Sequence, residues 1–473
     1  MQSDALACGL PVGGRTIETG EWDDVRSPYS GALVGRVARG TAETARAAVA
    51  AAAEAMRTPL PVHRRAALLE AIAAAIDAHR EELARLVCAE AGKPIRAARV
   101  EAERAAATYR AAADAARALA GEMVPLDASP GGDGKLGFTL RVPIGVVGAI
   151  SPFNFPLNLV AHKLAPALAA GCAVVLKPAP AAPLSALRLA ELAAAAGLPA
   201  GWLNVVCGPA REIGDVLVDD ERVRALTFTG SGPVGWSLRE RAPRKRVLLE
   251  LGNSSPLIVA SDADLAAAAG AAVASAFGYA GQTCVSLQRL IVHRDVYDAF
   301  LAELLPLVEA LVVGDPAEEA TDVGPVIDER SRDRIVDWVA RSGGAILAGG
   351  ELTDDGVLRP AVVASPAPDS ELACGEIFGP VVTVQPYAAV TEAFAAANAT
   401  PYGLQAAIFT RDLGLALRAA RELEFAGVLV NEPPSWRADH MPYGGVKDSG
   451  NTREGPRFAV RELTEERLIV LSP

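Results

Sequence analysis

Two hydrophobic periods alternate along this chain. Up to about residue 121 it reads as an extended lead-in followed by helices. Apolar residues recur at helical spacing over 42–57, 63–91 and 95–120, with Arg and Glu between them. Gly92-Lys93-Pro94 separates the last two. Segments 122–126 and 136–142 read as short strands of a hairpin, joined through the turn Ser129-Pro130-Gly131-Gly132-Asp133-Gly134. From Pro143 the pattern changes. Strand-like runs at 144–150, 172–176, 203–206, 225–228 and 247–249 alternate with helical runs at 157–170, 183–196, 211–217 and 231–241. Such alternation predicts a parallel, doubly wound sheet, so the fold class is α/β. A second α/β run extends from Pro256 to about Val430. It has strands at 257–259, 290–292, 381–384, 406–409 and 427–430 and a helix at 262–280. Segment 464–471 reads as one more strand.

Composition narrows this picture. A chain of 473 residues is too long for one simple core, which predicts two or three domains. Half the residues are apolar, yet alanine dominates and aromatics are scarce, as closely packed Ala-rich helices require. A net charge of −12 argues against nucleic acid as a partner. The six cysteines are Cys8, Cys88, Cys172, Cys207, Cys284 and Cys374. They are scattered, with no C-x-x-C and no Cys/His cluster, so neither a zinc site nor a disulfide framework is expected. That usage fits a reducing compartment, the cytoplasm. Residues 1–14 show no basic start or sustained apolar run, so no secretory signal is expected. The apolar stretch 157–176 is broken by His162, Lys163 and Pro166 and is not expected to span a membrane.

Three side chains carry the candidate chemistry. Cys284 ends Phe277-Gly278-Tyr279-Ala280-Gly281-Gln282-Thr283-Cys284, a thiol behind a Gly-containing approach. A lone cysteine is usually a small buried hydrophobe, but as a thiolate it is a good nucleophile. Glu250 ends the apolar run Val247-Leu248-Leu249 and precedes Leu251-Gly252-Asn253. A shielded carboxylate there has a raised pKa and can act as a general base. Asn154 lies in Pro152-Phe153-Asn154-Phe155-Pro156, an amide between prolines and aromatics. Asn154, Lys177, Gly208, Thr229-Gly230-Ser231 and Glu250 all fall just after predicted strands, where parallel sheets bind ligands. Thiol, carboxylate and amide together point to acyl chemistry on a carbonyl.

The trio, in its local contexts, resembles the aldehyde dehydrogenase superfamily. The resemblance spans nearly the whole chain and is surest from Pro143 to Glu454. It implies a Rossmann-type cofactor domain (1–121 and 143–251), an α/β catalytic domain (252–440) and oligomerisation strands (122–142 and 456–473). It implies an enzyme that oxidises an aldehyde to an acid with NAD or NADP. Cys284 would be the nucleophile, Glu250 the base that activates water, and Asn154 a donor to the oxyanion. Phe228-Thr229-Gly230-Ser231-Gly232-Pro233-Val234-Gly235 matches the family's pyrophosphate turn. Lys177 matches the adenosine-ribose lysine, and Glu376 and Phe378 match the nicotinamide-side Glu and Phe. Ile150, Ser151, Pro152, Phe153, Pro180, Gly208, Leu251 and Gly252 complete the expected cofactor site. The segment from Pro442 to Glu454 resembles the one that closes the active site, and Asn431 a residue near the substrate entrance.

Several positions depart from the family pattern. Pro180 stands where many NAD-using members carry a glutamate that would repel a 2′-phosphate, so NADP is admissible. Gly252-Asn253 replaces the usual Gly-Gly, and Phe153 a frequent Trp. Arg110, His162 and Arg289 fall where the family's tunnel receives side chains. Together they suit a short aldehyde with a phosphono, sulfo or carboxy tail, and the chain also resembles lactaldehyde and phosphonoacetaldehyde dehydrogenases. One alternative is a CoA-acylating enzyme, which typically lacks the base. Another is a non-catalytic protein on the same fold. A Cys-His hydrolase is disfavoured by five histidines in no recognised context. Unpaired edges on the hairpin and the last strand imply a homodimer or homotetramer.

Overall fold

The computed structural model describes residues 6–472. Residues 1–5 and 473 of the expected N-terminal and C-terminal segments lie outside the described residues.

The five strands expected between Pro143 and Leu251 form one parallel sheet. In space their order is Leu203–Val205, Val174–Lys177, Val146–Ile150, Val223–Thr229, Arg246–Glu250. Their β-branched and leucine side chains are buried on both faces, as a helix-covered parallel sheet demands. The order reverses at Val146–Ile150, so the crevice outside the carboxyl ends opens beside that strand. Asn154 and Gly208 lie in the loops that follow Val146–Ile150 and Leu203–Val205, while Lys177, Thr229 and Glu250 are themselves final strand residues.

A second sheet has seven strands. Ala361–Ala364, Val381–Tyr387, Leu287–His293, Ser255–Val259, Gln405–Phe409 and Gly427–Val430 run parallel, and Ala345–Ala348 pairs antiparallel at one edge. Each sheet has its own apolar core. The first core spans Cys8 to Leu251 and also takes Val460 and Leu463 from the C-terminal end; the second spans Leu257 to Phe409.

Thr464–Leu471 pairs antiparallel with Leu136–Pro143, and that strand pairs with Met123–Val124. The outer strand exposes Leu468, Val470 and Leu471. The extended lead-in contains two small sheets. In one, Leu10–Val12 and Arg15–Ile17 form a hairpin through Gly13 and Gly14, both at positive φ.

Two expected helices differ in the structure. The run 63–91 is two helices, Val62–Ala78 and Arg80–Ala91. They part at His79, which leaves helical geometry while its ring Nδ1 lies 2.9 Å from the Ala75 carbonyl. The run 262–280 is helical only over Leu265–Phe277. Tyr279 and Ala280 instead take left-handed backbone angles, a break with direct consequences for the site. No helix among the described residues is long and apolar enough to cross a membrane.

Candidate active site

Cys284 sits at the end of a constrained turn. Tyr279 and Ala280, both at φ 51°, precede Gly281 at φ 68°, so three consecutive residues are left-handed. Such backbone is unfavourable for Tyr and Ala and persists only where surrounding contacts hold it. Here the Tyr279 hydroxyl donates to the Ala91 carbonyl at 2.9 Å. Gln282 donates to the Pro325 carbonyl and accepts from the Ile327 N–H at 2.8 Å. Gly281 packs directly on the Gly379 carbonyl, leaving no room for a side chain.

Asn154 reaches the same turn. It is buried, and its Nδ2 donates to the Gln282 carbonyl at 2.8 Å, while its Oδ1 has no partner. The amide therefore stands beside the approach to the thiol. Lys93 joins the two segments: its buried ammonium lies 3.6 Å from the Phe155 ring centroid and 4.5 Å from that of Tyr279. Glu101 pairs with Lys93 and also accepts from the N–H groups of Leu157 and Asn158, capping the helix Asn158–Ala170.

The Cys284 sulfur lies 2.7 Å from the Tyr443 hydroxyl. Burial pushes the thiol up to about 12, while Tyr443 and then Arg437 pull the other way. The thiol opens onto a cleft whose lining includes Arg104, Asn158, Thr283, Arg437 and Tyr443.

Glu250 is buried, and neither carboxylate oxygen has a hydrogen-bond partner. Burial, reinforced by the Glu454 charge, pushes its carboxyl well above the usual range. The segment from Tyr443 to Glu454 lies against it. Leu251 N–H donates to the Ser449 carbonyl, and the Ser449 hydroxyl donates to the Gly252 carbonyl at 2.7 Å. A side chain on Gly444 would come within 2.6 Å of Glu250 Oε1. Adjacent residues, Tyr443 and Gly444, thus touch the thiol and the carboxylate respectively.

A charged network backs this arrangement. Arg437 donates to Glu454 at 3.1 Å and stacks 3.7 Å from the Tyr443 ring centroid. Lys163 donates to the Thr227 and Thr229 hydroxyls and lies 3.8 Å from Glu454. Burial would raise Glu454, but Lys163, Arg437 and His162 hold it below the ordinary carboxylate value. Asp439 accepts from Arg104 through two nitrogens and from Asn158 at 3.1 Å, and lies 3.0 Å from His162 Nε2.

The three basic residues expected around the substrate need correction. Arg110 is exposed on its helix and pairs with Asp77. Arg289 is buried within its strand and donates to the carbonyls of Ser254, Ala396 and Ala397. Neither lines the cleft, because both guanidiniums are spent on structural partners. His162 is buried in the network behind the cleft, and burial together with Arg437 lowers its pKa. The cleft's own cations are Arg104 and Arg437, which sequence reasoning missed. Arg104 follows the helical period of its neighbours, and Arg437 lies in an irregular segment whose partners are remote in sequence. Asn431, exposed, exchanges two hydrogen bonds with the Thr410 backbone.

The carboxyl edge of the first sheet suits a dinucleotide. Helix Gly232–Arg241 begins at Ser231 with no side-chain cap, leaving its first N–H groups available to an anion. Gly230 and Gly235 pack against the Phe228 ring and Leu251, where a Cβ would come within 2.6 Å and 2.5 Å of side-chain atoms. Val234 on this helix is exposed. Lys177, largely buried, has its pKa lowered by desolvation, and its ammonium donates to the Pro178 carbonyl at 3.2 Å. Pro180, three residues on, is exposed. The Ser151 hydroxyl is buried without a partner; Ile150 and Pro152 flank it. Gly208, at φ 142°, packs on the Gly40 carbonyl. Glu376 accepts from the Asn253 N–H at 3.1 Å, directly beside Gly252, and burial pushes it up to about 7. Phe153 and Phe378 meet edge to face at 5.8 Å. An ammonium, a buried hydroxyl and an open helix terminus along this edge, with the Glu376 carboxylate from the second sheet's side beside Gly252, fit the phosphates and ribose hydroxyls of NAD or NADP.

Comparison with known proteins agrees. The model of the aldehyde dehydrogenase family matches residues 17–469. The chain is 43 % identical over 467 residues to 3-sulfolactaldehyde dehydrogenase of Priestia aryabhattai, covering 98 % of each chain. It is 38 % identical to lactaldehyde dehydrogenase of Methanocaldococcus jannaschii, covering 95 % of this chain and 97 % of the other. Among solved structures, aldehyde dehydrogenase 21 of Physcomitrella patens, in complex with the reaction product succinate, superimposes with a TM-score of 0.95 at 38 % identity over 99 % of both chains. Glyceraldehyde-3-phosphate dehydrogenase of M. jannaschii, complexed with NADP, does so with a TM-score of 0.91 at 38 % identity, covering 96 % of this chain and 100 % of that one. This chain belongs to the aldehyde dehydrogenase family and is an enzyme that oxidises aldehydes with NAD or NADP.

Proposed function

We propose that the enzyme oxidises a short aldehyde with an anionic tail to the free acid, through a thiohemiacetal and then a thioester on Cys284. The observation that carries this reading is the cleft in which Cys284 faces Arg104 and Arg437. Arg104 and Arg437 are balanced by Asp439 and Glu454, and Glu250 and His162 are pushed toward their neutral forms. The lining carries these two guanidiniums and no carboxylate among the described residues, which favours a sulfonate, phosphonate or carboxylate near the aldehyde. The relative that acts on 3-sulfolactaldehyde and the succinate-bound neighbour support the same class.

In this reading the Cys284 thiolate forms a bond to the aldehyde carbon. Asn154 Nδ2 exchanges the Gln282 carbonyl for the new oxyanion, which the Cys284 N–H also reaches. One such donor contributes about 3–4 kcal/mol to the transition state. NAD or NADP, when bound, supplies the hydride acceptor. Glu250, made more basic by burial, then takes a proton from water as the water oxygen attacks the thioester carbon. The carbon–sulfur bond breaks, the acid departs, and the thiolate is restored. Lys177, Ser151, Gly208, Thr229 to Ser231, Leu251, Gly252, Glu376 and Phe378 hold the cofactor; Pro180 admits NADP as well as NAD.

The presence of Glu250 favours hydrolysis over transfer to CoA. The first sheet serves as the dinucleotide domain (1–121 and 143–251) and the second as the catalytic domain (252–440). The exposed Leu468, Val470 and Leu471 on an unpaired edge support pairing between subunits, as a homodimer or homotetramer. All six cysteines are free, which supports a cytoplasmic location.

Initial rates with short neutral and anionic aldehydes, each with both dinucleotides, test the proposal. Anionic aldehydes should show the higher kcat/KM and yield free acid. Arg104→Gln should raise KM about tenfold for them and leave neutral aldehydes unchanged. An equal effect on both classes, or an acyl-CoA product, would refute it.

A further inference from the structure

We infer that Tyr443 is a catalytic residue whose hydroxyl donates to the Cys284 sulfur and stabilises the attacking thiolate. The inference rests on the reading of Cys284 as the nucleophile. The contact is direct, 2.7 Å from Oη to Sγ. It is also built rather than incidental. Tyr443 is buried, its N–H donates to the Glu454 carbonyl, and the Glu454 N–H donates back. Its ring is held under the Arg437 guanidinium at 3.7 Å. Glu454 and His162 in turn fix Arg437.

The thiol needs such a donor. Burial opposes its ionisation, as do the facing carboxyls of Glu250 and Glu376. Tyr443 and Arg437 act in the opposite sense, and only Tyr443 touches the sulfur. Burial and the neighbouring sulfur also keep the phenol protonated, so it is the donor once the thiolate forms. A thiolate accepts hydrogen bonds and donates none, which fixes the direction. The thiol proton passes to solvent through the open cleft. Behind this pair, Lys163, Asp439 and Arg104 complete the set of charged neighbours.

The test compares Tyr443→Phe with the parent enzyme. Phenylalanine keeps the ring beneath Arg437 and removes only the hydroxyl. The readouts are the second-order rate of iodoacetamide alkylation of Cys284 against pH, thiolate absorbance in the far ultraviolet, and the thermal midpoint. The expected result is a midpoint of alkylation raised by about one pH unit, hence roughly tenfold slower labelling at neutral pH, with the thermal midpoint unchanged. The deficit should stay the same factor across the neutral pH range, where both thiols are mostly protonated, since the thiolate itself is intact. An unchanged alkylation rate in a folded Tyr443→Phe enzyme overturns the inference, as does a deficit that changes in size across the neutral pH range. Cys284→Ser separates the two levels of argument. Turnover lost in that variant alongside an unaltered Tyr443→Phe profile removes only the role of Tyr443. Turnover retained removes the nucleophile reading beneath it.

Discussion

Gly252→Ala probes the cofactor side through one methyl group. The new Cβ would lie 2.7 Å from the Glu376 carboxyl carbon and 2.9 Å from its Oε1, with Oε2 closer still. The carboxylate must swing away. Because it is the far end of a flexible side chain, the fold should lose only about 1 kcal/mol, the low end for overpacking. The displaced carboxylate forfeits the 3.1 Å bond from the Asn253 N–H and the place beside the nicotinamide ribose proposed for it. A hydrogen bond to a charged group is worth roughly 1.5–3 kcal/mol, so affinity for NAD and NADP should fall about 10- to 150-fold. Burial pushes Glu376 up to about 7, which makes the loss larger at pH 8, where it is ionised, than at pH 6. Fluorescence titration of both dinucleotides measures this, with the thermal midpoint and Cys284 labelling as controls. Unchanged dissociation constants in a folded Gly252→Ala enzyme would refute the placement of Glu376 in the cofactor site.

Asn154→Ala should lower kcat/KM by about 100- to 1,000-fold while iodoacetamide still labels Cys284 normally; a loss of labelling would mean that the turn itself had collapsed. Glu90 is a structural counterpart. It caps the helix Leu184–Ala195 through the N–H groups of Leu184 and Ser185, and burial pushes it up to about 7. The folded state therefore retains a proton that the unfolded chain releases near pH 4.5, so this contribution to stability is lost as pH rises from about 4.5 to 7. Urea unfolding across that window should show the slope in the parent and a shallower one in Glu90→Gln; identical slopes would contradict it.

Much of the sheet architecture was legible because parallel strands buried on both faces read as short apolar runs. Those runs also marked the strand ends where Lys177, Thr229 and Glu250 stand. The helix break at His79 was not legible, since no Gly or Pro interrupts a period that both halves share. Nor was the left-handed run at Tyr279 and Ala280, which tertiary contacts with Ala91 and Gly379 impose against local preference. The small N-terminal strands, three of them only three residues long, are too short to show a period, and Leu6–Cys8 also takes its partner from the later strand Leu33–Ala38. Arg289 shows the opposite failure. Its position near Cys284 suggested substrate, yet it lies within a buried strand, where a guanidinium must find carbonyl acceptors. Arg437 and Tyr443 acquire meaning only when residues 437–454 fold back onto Glu250 and Cys284.

The central claim is that Cys284 carries the acyl group and Glu250 releases it. Glu250→Gln, mixed rapidly with NADP or NAD and an anionic aldehyde, tests this by mass spectrometry of the Cys284 peptide. The account predicts a burst of about one reduced dinucleotide per active site, with the substrate's acyl mass on Cys284 decaying slowly. A peptide that stays unmodified while turnover proceeds would contradict it.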